Sequence, residues 1–209
     1  GAVGVNDNDW NENWKKYFHA TEIGQRLAIV PSWESYENAG GRKILHIDPG
    51  AAFGTGTHAT TSLCLAMLEN YVTEGTKMLD IGCGSGILSI AAVLLGAEKA
   101  VGVDIDAQSV KTARENAELN NQDDKTEYIV GDLADKVIGK FNVVCANIVA
   151  DVVIRLFENV RDYMAENAVL LVSGIIDARE QDVLRAAEKH GFTVKEKQYK
   201  DNWCAFALI

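Results

Sequence analysis

Two glycine-rich turns stand close together in this chain: FGTGTH at 53–58 and GCGSG at 82–86. Glycine weakens regular structure and is favoured where backbone turns sharply or lets a ligand come close. The second turn sits between two apolar runs in LDIGCGSGILSIAA, with Asp80 two residues ahead of Gly82. It reads as a strand-to-helix link, where Gly82, Gly84 and Gly86 let a ligand approach a helix N-terminus. Three further polar residues close apolar runs: Asp104 in GVDID, Asp132 in GDL and Asn147 in ANI. An acid placed like Asp104 accepts both ribose hydroxyls of an adenosine ligand, as in NAD and S-adenosylmethionine sites. Asp132 suits the amino group of an adenine, with Leu133 against the ring. Asn147 emerges from the buried run VVCA, where a side-chain amide is costly unless its hydrogen bonds are used. That places it at a reaction centre. Plainer readings stand beside these: a helix cap shared with Asp106 for Asp104, a polar turn for Asp132, a satisfied strand-end amide for Asn147. His58 stands at a helix start, where it reads as a neighbour of the cap, and no proton transfer is assigned to it.

The elements that must hold these residues follow from periodicity. Short apolar runs at 26–34 and 42–50 read as strands, the first ended by Pro31. A helix follows over 57–72, with Thr57 as N-cap and Leu65, Leu68 and Val72 on one face. Strands and helices then alternate: KMLDIG, a helix closed by Gly96, KAVGVDI, a helix capped by Asp106 with Val110, Ala113 and Ala117 inward, EYIVGD and FNVVCANI. A helix is expected over 151–167, with Val153, Leu156, Phe157, Val160 and Met164 on one face. AVLLVSG is the next strand. A helix over 177–191 carries a capping-box pattern from Asp177 to Glu180 and a Gly191 stop. The tail 192–209 reads as a β-hairpin. Apolar strands alternating with helices predict a parallel α/β sheet, whose ligands sit at the carboxyl ends of the strands.

Composition sets the outer bounds. The chain has 209 residues, 47% of them hydrophobic, which suits one sizeable domain with an appendage. Residues 1–40 read as a connector or appendage and 41–209 as the main domain. The formal charge of -10 argues against a phosphate-backbone ligand and suits a basic partner, so no direct nucleic-acid binding is expected. Cys64, Cys83, Cys145 and Cys204 form no C-x-x-C pair and read as buried free thiols of a reducing compartment. No histidine or cysteine spacing fits a metal site, and no metal is expected. No apolar run is long enough to span a bilayer, so a cytoplasmic location is expected.

The motif LDIGCGSG, Asp104 and the strand–helix order resemble class I S-adenosylmethionine-dependent methyltransferases across roughly 45–209. DPGAAFGTGTHATTSLCL, LDIGCGSGILSIAA, GVDID and ANI together resemble the methyltransferases of ribosomal protein L11, the PrmA family, as do WKKYF and PSWE upstream. The resemblance implies a Rossmann-like fold, a mainly parallel seven-stranded sheet with helices on both faces and a C-terminal antiparallel hairpin. It implies S-adenosylmethionine as cofactor and maps Thr61, Gly82, Asp104 and Asn147 onto the family's cofactor-binding positions. Thr57, Asp80, Gly84, Gly86 and Asp132 complete the expected cofactor site, and Asn147 is the expected catalytic residue. Related amide and base methyltransferases carry N-P-P-Y at the fourth strand. Here Ile148, Val149 and Ala150 follow Asn147, which favours a flexible amine over a flat substrate.

The resemblance also implies action on lysine side chains and the α-amine of a basic ribosomal protein, and a separate front domain that grips it. No segment here is long enough for that domain, so the chain reads as the catalytic portion. Three rivals stay open: a class I methyltransferase acting on RNA or another protein, a non-catalytic scaffold of the same fold, and an NAD-dependent oxidoreductase. The last is disfavoured because the dinucleotide pattern G-x-G-x-x-G would need glycine where Ile87 stands.

Overall fold

The computed structural model describes residues 18–48 and 58–209. Thr57 and most of the first glycine-rich turn lie outside the described residues. Strands β1 (Thr21–Ile23), β2 (Leu27–Pro31) and β3 (Lys43–Ile47) form a small sheet, antiparallel between β1 and β2 and parallel between β2 and β3. Its strands come from both sides of residue 41.

The main sheet has seven strands. In chain order they are β4 (Lys77–Ile81), β5 (Lys99–Asp104), β6 (Thr126–Val130), β7 (Phe141–Asn147), β8 (Met164–Ile176), β9 (Val194–Lys200) and β10 (Trp203–Leu208). Their spatial order is β6-β5-β4-β7-β8-β10-β9. Pairings from β6 to β8 are parallel, and β10 runs antiparallel to both β8 and β9, as the expected hairpin. The crossover between β4 and β7 is the point where strand order reverses, and such a point opens a crevice at the strands' carboxyl ends.

Among the described residues five α-helices cover the sheet: α1 (Ala59–Tyr71), α2 (Ile87–Leu94), α3 (Ala107–Leu119), α4 (Ala150–Leu156) and α5 (Glu180–Lys189). Alternate strand residues feed opposite faces, as the two-residue period requires. Met78, Ala100, Val143 and Cys145 pack with α1, α2 and α3 in one core. Leu79, Val101, Val144 and Ala146 pack with α4 and α5 in the other. All four cysteines are free and buried, and burial pushes the Cys64 thiol up to about 12.

Two local expectations are corrected. The helix predicted over 151–167 stops at Leu156, gives way to a 3-10 turn at Val160–Tyr163, and β8 begins at Met164. The apolar stripe is still buried, since Val160 and Met164 join the same core from the 3-10 turn and the strand. β8 runs 13 residues because it is paired on both sides, by β7 and β10. The capping box from Asp177 does not form either. Asp177–Arg179 is a 3-10 turn, and α5 starts at Glu180 without a side-chain cap. Arg179 instead bonds Asp182 at 2.8 Å and Asp151 at 2.6 Å, tying α5 to α4.

Gly102 in the middle of β5 marks a tight contact. A Cβ there would lie 2.6 Å from Cδ1 of Tyr128 and 3.0 Å from Cβ of Cys83. The Tyr128 ring is buried and its hydroxyl is bonded to Ser89 Oγ at 2.9 Å, so it has little room to yield. Gly102→Ala is therefore expected to cost about 1–3 kcal/mol through overpacking, read as a lower urea midpoint with an unchanged slope.

Candidate active site

The second glycine turn is stitched to the end of β5. Gly82 N and Cys83 N both donate to Val103 O, at 2.8 and 2.9 Å. Gly84 N donates to Asp104 Oδ2 at 2.9 Å, and Asp106 N donates to Asp104 Oδ1 at 2.9 Å. Each Asp104 oxygen thus keeps a second acceptor position, aimed from a carboxylate whose orientation two backbone donors set. Asp106 also caps α3, accepting from Gln108 N at 3.0 Å, so the capping role belongs to Asp106. Gly82 has φ +73, and a Cβ on it would lie 2.6 Å from Ile148 Cγ2. Glycine is required there both by backbone conformation and by the approach of the β7 loop.

Asp80 lies elsewhere than the ligand reading implied. It is fully buried behind the turn and does not line the cavity. Gly86 is the N-cap of α2 and has no side chain to cap with. Asp80 Oδ2 takes over that task from β4, accepting from Ser89 N at 3.2 Å, while Oδ1 has no partner. Burial pushes this carboxyl up from 3.8 to about 7, opposed by the Ser89 N–H and reinforced by the nearby Asp104 charge. The sign follows from linkage. A raised folded value means that the native state binds the proton more tightly, so stability falls as pH rises from about 4 through about 7. Asp80→Asn removes that loss. Across this window the stability difference should move toward the variant by up to about 1.4 kcal/mol per pH unit, measured by urea unfolding at stepped pH.

Asn147 ends β7. Its Nδ2 donates to Thr61 Oγ1 at 3.2 Å, and among the described residues Oδ1 has no partner. Thr61 is buried in the first turn of α1. The N-cap of that helix is His58 itself rather than the expected Thr57, its Nδ1 accepting from Thr60 N at 3.2 Å. The β7 loop is held by two further bonds: Ile148 N to Ser173 O at 3.1 Å, and Ser173 Oγ to Thr60 O at 2.9 Å. At Gly174, with φ +84, a Cβ would meet Ile148 O at 2.5 Å, so this loop needs glycine as its neighbour in β8.

These pieces surround one cavity of about 400 Å³, a volume ordinary for a small-molecule site. Of the predicted residues, Thr61, Gly82, Gly84, Asp104, Asp132 and Asn147 line it. Gly86 and Asp80 stand behind the turn, and Thr57 lies outside the described residues. Asp132 is paired with Arg155 of α4 at 3.0 Å. Arg155 and Ile105 also line the cavity, and neither was expected from the sequence. Ile105, 73% exposed, continues the chain from Asp104 and was legible as the apolar residue in GVDID. Nothing near Arg155 in sequence marks it.

A second chamber, of about 520 Å³, adjoins the first and shares Asn147, Ile148 and Val152 with it. Its far wall is Trp203 of β10, which meets the His58 ring edge-on at 5.3 Å between centroids. The hairpin thus brings an aromatic side chain to Asn147 from more than 50 residues away in sequence. Among the described residues no group of three His, Cys, Asp or Glu is placed to hold a metal ion. Among them, too, no helix is long and apolar enough to cross a membrane.

Known proteins resemble this chain in sequence and in fold. The family model "Ribosomal protein L11 methyltransferase (PrmA)" matches residues 2–208. A ribosomal protein L11 methyltransferase of Caldicellulosiruptor bescii is 46% identical over 200 residues, covering 96% of this chain and 65% of the relative. One of Thermoanaerobacter pseudethanolicus is 44% identical over 201 residues, with 96% and 65% covered. The chain therefore spans about two thirds of the length of these relatives. A crystal structure of a ribosomal protein L11 methylase from Lactobacillus delbrueckii subsp. bulgaricus superposes with a TM-score of 0.87 at 32% identity, over 92% of this chain and 98% of that one. An RNA methyltransferase of Salinibacter ruber, solved with S-adenosyl-L-homocysteine, shares the fold at a TM-score of 0.60 and 22% identity, over 72% of this chain and 92% of that one. By the family match and these identities, the chain belongs to the ribosomal protein L11 methyltransferase (PrmA) family.

Proposed function

We propose that this chain transfers methyl groups from S-adenosylmethionine to amines of ribosomal protein L11, its lysine side chains and α-amine. The observation that carries the reading is the junction of two chambers at Asn147. One chamber is rimmed by the glycine turn and the Asp104 carboxylate, the other walled by Trp203 and Val149.

The residues present fit the cofactor. Asp104 offers two preset acceptors for ribose hydroxyls, and Gly82 leaves its amino-acid end close to backbone. Ile105 and Leu133 supply apolar contacts for the base, with Asp132 near its amino group. Thr61 and Asn147 face the sulfur end. Ile87, where a dinucleotide site would carry its third glycine, is a buried helical residue here, which weighs against the oxidoreductase reading. When bound, S-adenosylmethionine supplies an electrophilic methyl group on a sulfonium.

The chain's own part is alignment and proton placement. A lysine ammonium, with an ordinary pKa of about 10.4, must lose a proton before its lone pair can attack. An apolar chamber disfavours the charged form. Asn147 Oδ1, left open because Nδ2 is committed to Thr61, accepts an N–H of the neutral amine and turns its lone pair toward the first chamber. Holding the reacting atoms in line is itself worth several powers of ten in rate. The -10 net charge suits a basic protein substrate.

Mass spectrometry of purified L11 after incubation with this chain and S-adenosylmethionine tests the proposal. Gains in steps of one methyl group support both chemistry and substrate. No gain from this chain, alone or supplemented with the N-terminal third of a full-length relative, overturns the assignment of L11.

A further inference from the structure

The opposite end of the sheet carries a cleft that the reaction does not use. It has a volume of about 320 Å³ and lies where β4, β5 and β7 begin, one strand length, on the order of 17 Å, from the reaction cavity. Its rim holds Lys77, Lys99, Lys136 and Lys140. In a chain with 20 basic and 30 acidic residues, this concentration runs against the overall balance. Lys77 and Lys99 are direct partners in the β4–β5 register, and like charges facing each other across strands are destabilising. Among the described residues only Lys99 is compensated, by Glu127 at 3.1 Å. Lys136 Nζ donates to the carbonyl of Val130 at 3.2 Å, which orders the side chain and leaves its charge uncancelled. Lys77 and Lys140 have no carboxylate within ion-pair distance among the described residues. The floor between the lysines is apolar, formed by Val101, Ile129 and Phe141.

We propose that this cleft is a phosphodiester-binding face that docks single-stranded RNA. Lysines recognise phosphates as point charges, and an apolar floor beneath a cationic rim accepts the face of a base. A nucleotide offers a phosphate to the rim and a flat ring to the floor in one repeating unit, whereas a peptide matches both only if it interleaves acidic and apolar side chains. The choice of RNA also rests on the reading of a ribosomal protein as substrate, since that protein meets RNA once assembled. The net charge of the whole chain opposes nucleic acid at long range, and the cleft is a local exception held at short range, inside the screening length of about 10 Å at 0.1 M salt.

Fluorescence anisotropy of a labelled mixed-sequence RNA oligonucleotide, titrated at several potassium chloride concentrations, tests this. Three uncompensated lysines predict a slope of log affinity against log salt of about -2, from roughly -0.7 per phosphate on a single strand. Lys77→Gln combined with Lys140→Gln should bring the slope below about 1 in magnitude and weaken binding at least about tenfold at low salt. Glu127→Gln frees Lys99 and should tighten binding and steepen the slope. Circular dichroism melts check that each variant is folded. Absent RNA binding, or binding unchanged in all these variants, overturns the proposal. So does displacement-free binding of inorganic pyrophosphate in the cleft with no RNA binding, which would make it a site for small phosphates. The readout needs no methyl transfer, so its failure and a failure to methylate L11 are told apart.

Discussion

Asn147→Ala is expected to lower the rate of the proposed methyl transfer by about 100-fold or more, with the fold intact and S-adenosylhomocysteine still bound. The size follows from what is lost: an acceptor that orients the amine, at a place where a displacement of about 1 Å costs two powers of ten. The fold should survive because Asn147 is only partly buried and its one bond, to Thr61, is replaceable by water. Single-turnover kinetics beside a calorimetric titration separate the two effects. A variant with near-parental turnover would sink the role assigned to Oδ1. Asn147→Asp sharpens the test. A carboxylate beside an amine favours the ammonium, so the amine deprotonates only at higher pH. The pH–rate profile of this variant should shift upward, an outcome that a purely structural asparagine does not produce.

The second large effect is at Asp104. Its carboxylate is preset by Gly84 N and Asp106 N, and two charge-assisted bonds to ribose hydroxyls are each worth about 1.5–3 kcal/mol. Asp104→Ala should therefore raise the Kd for S-adenosylhomocysteine by about 100-fold or more. Removing the carboxylate also frees the two backbone donors, which can turn to water because Asp104 is only half-buried. Stability should thus change far less than affinity. An unchanged titration would refute the ribose assignment. A large loss of stability with unchanged affinity would make Asp104 a loop staple alone.

Much of the site was legible because its residues sit at strand ends. Gly82, Asp104, Asp132 and Asn147 each close an apolar run, and in a parallel sheet those ends share one edge. Periodicity found them without any knowledge of strand order. The same local reasoning failed where a residue's partner was distant. Asp80 has the motif spacing of a ligand contact, yet it caps α2, because Gly86 offers no side chain and β4 brings a carboxylate within reach of Ser89. Asp177 and Glu180 have the spacing of a capping box. Arg179 instead binds acids on two helices, and the backbone takes a 3-10 turn. The helix over 151–167 shows an apolar stripe that a 3-10 turn and a strand bury equally well, so its end could not be read from the stripe.

Local pattern alone therefore carried the α/β class, the two-faced core, the glycine turn and the three strand-end polar groups. These depend on which residues avoid water and which backbone needs glycine, and both are properties of short segments. Tertiary structure alone decided that Trp203 walls the second chamber, that Arg155 meets Asp132, that Asn147 gives Nδ2 to Thr61 and keeps Oδ1 open, and that Lys77 faces Lys99. Each is a contact between residues far apart in the chain, set by strand order and register, and no short segment encodes either one.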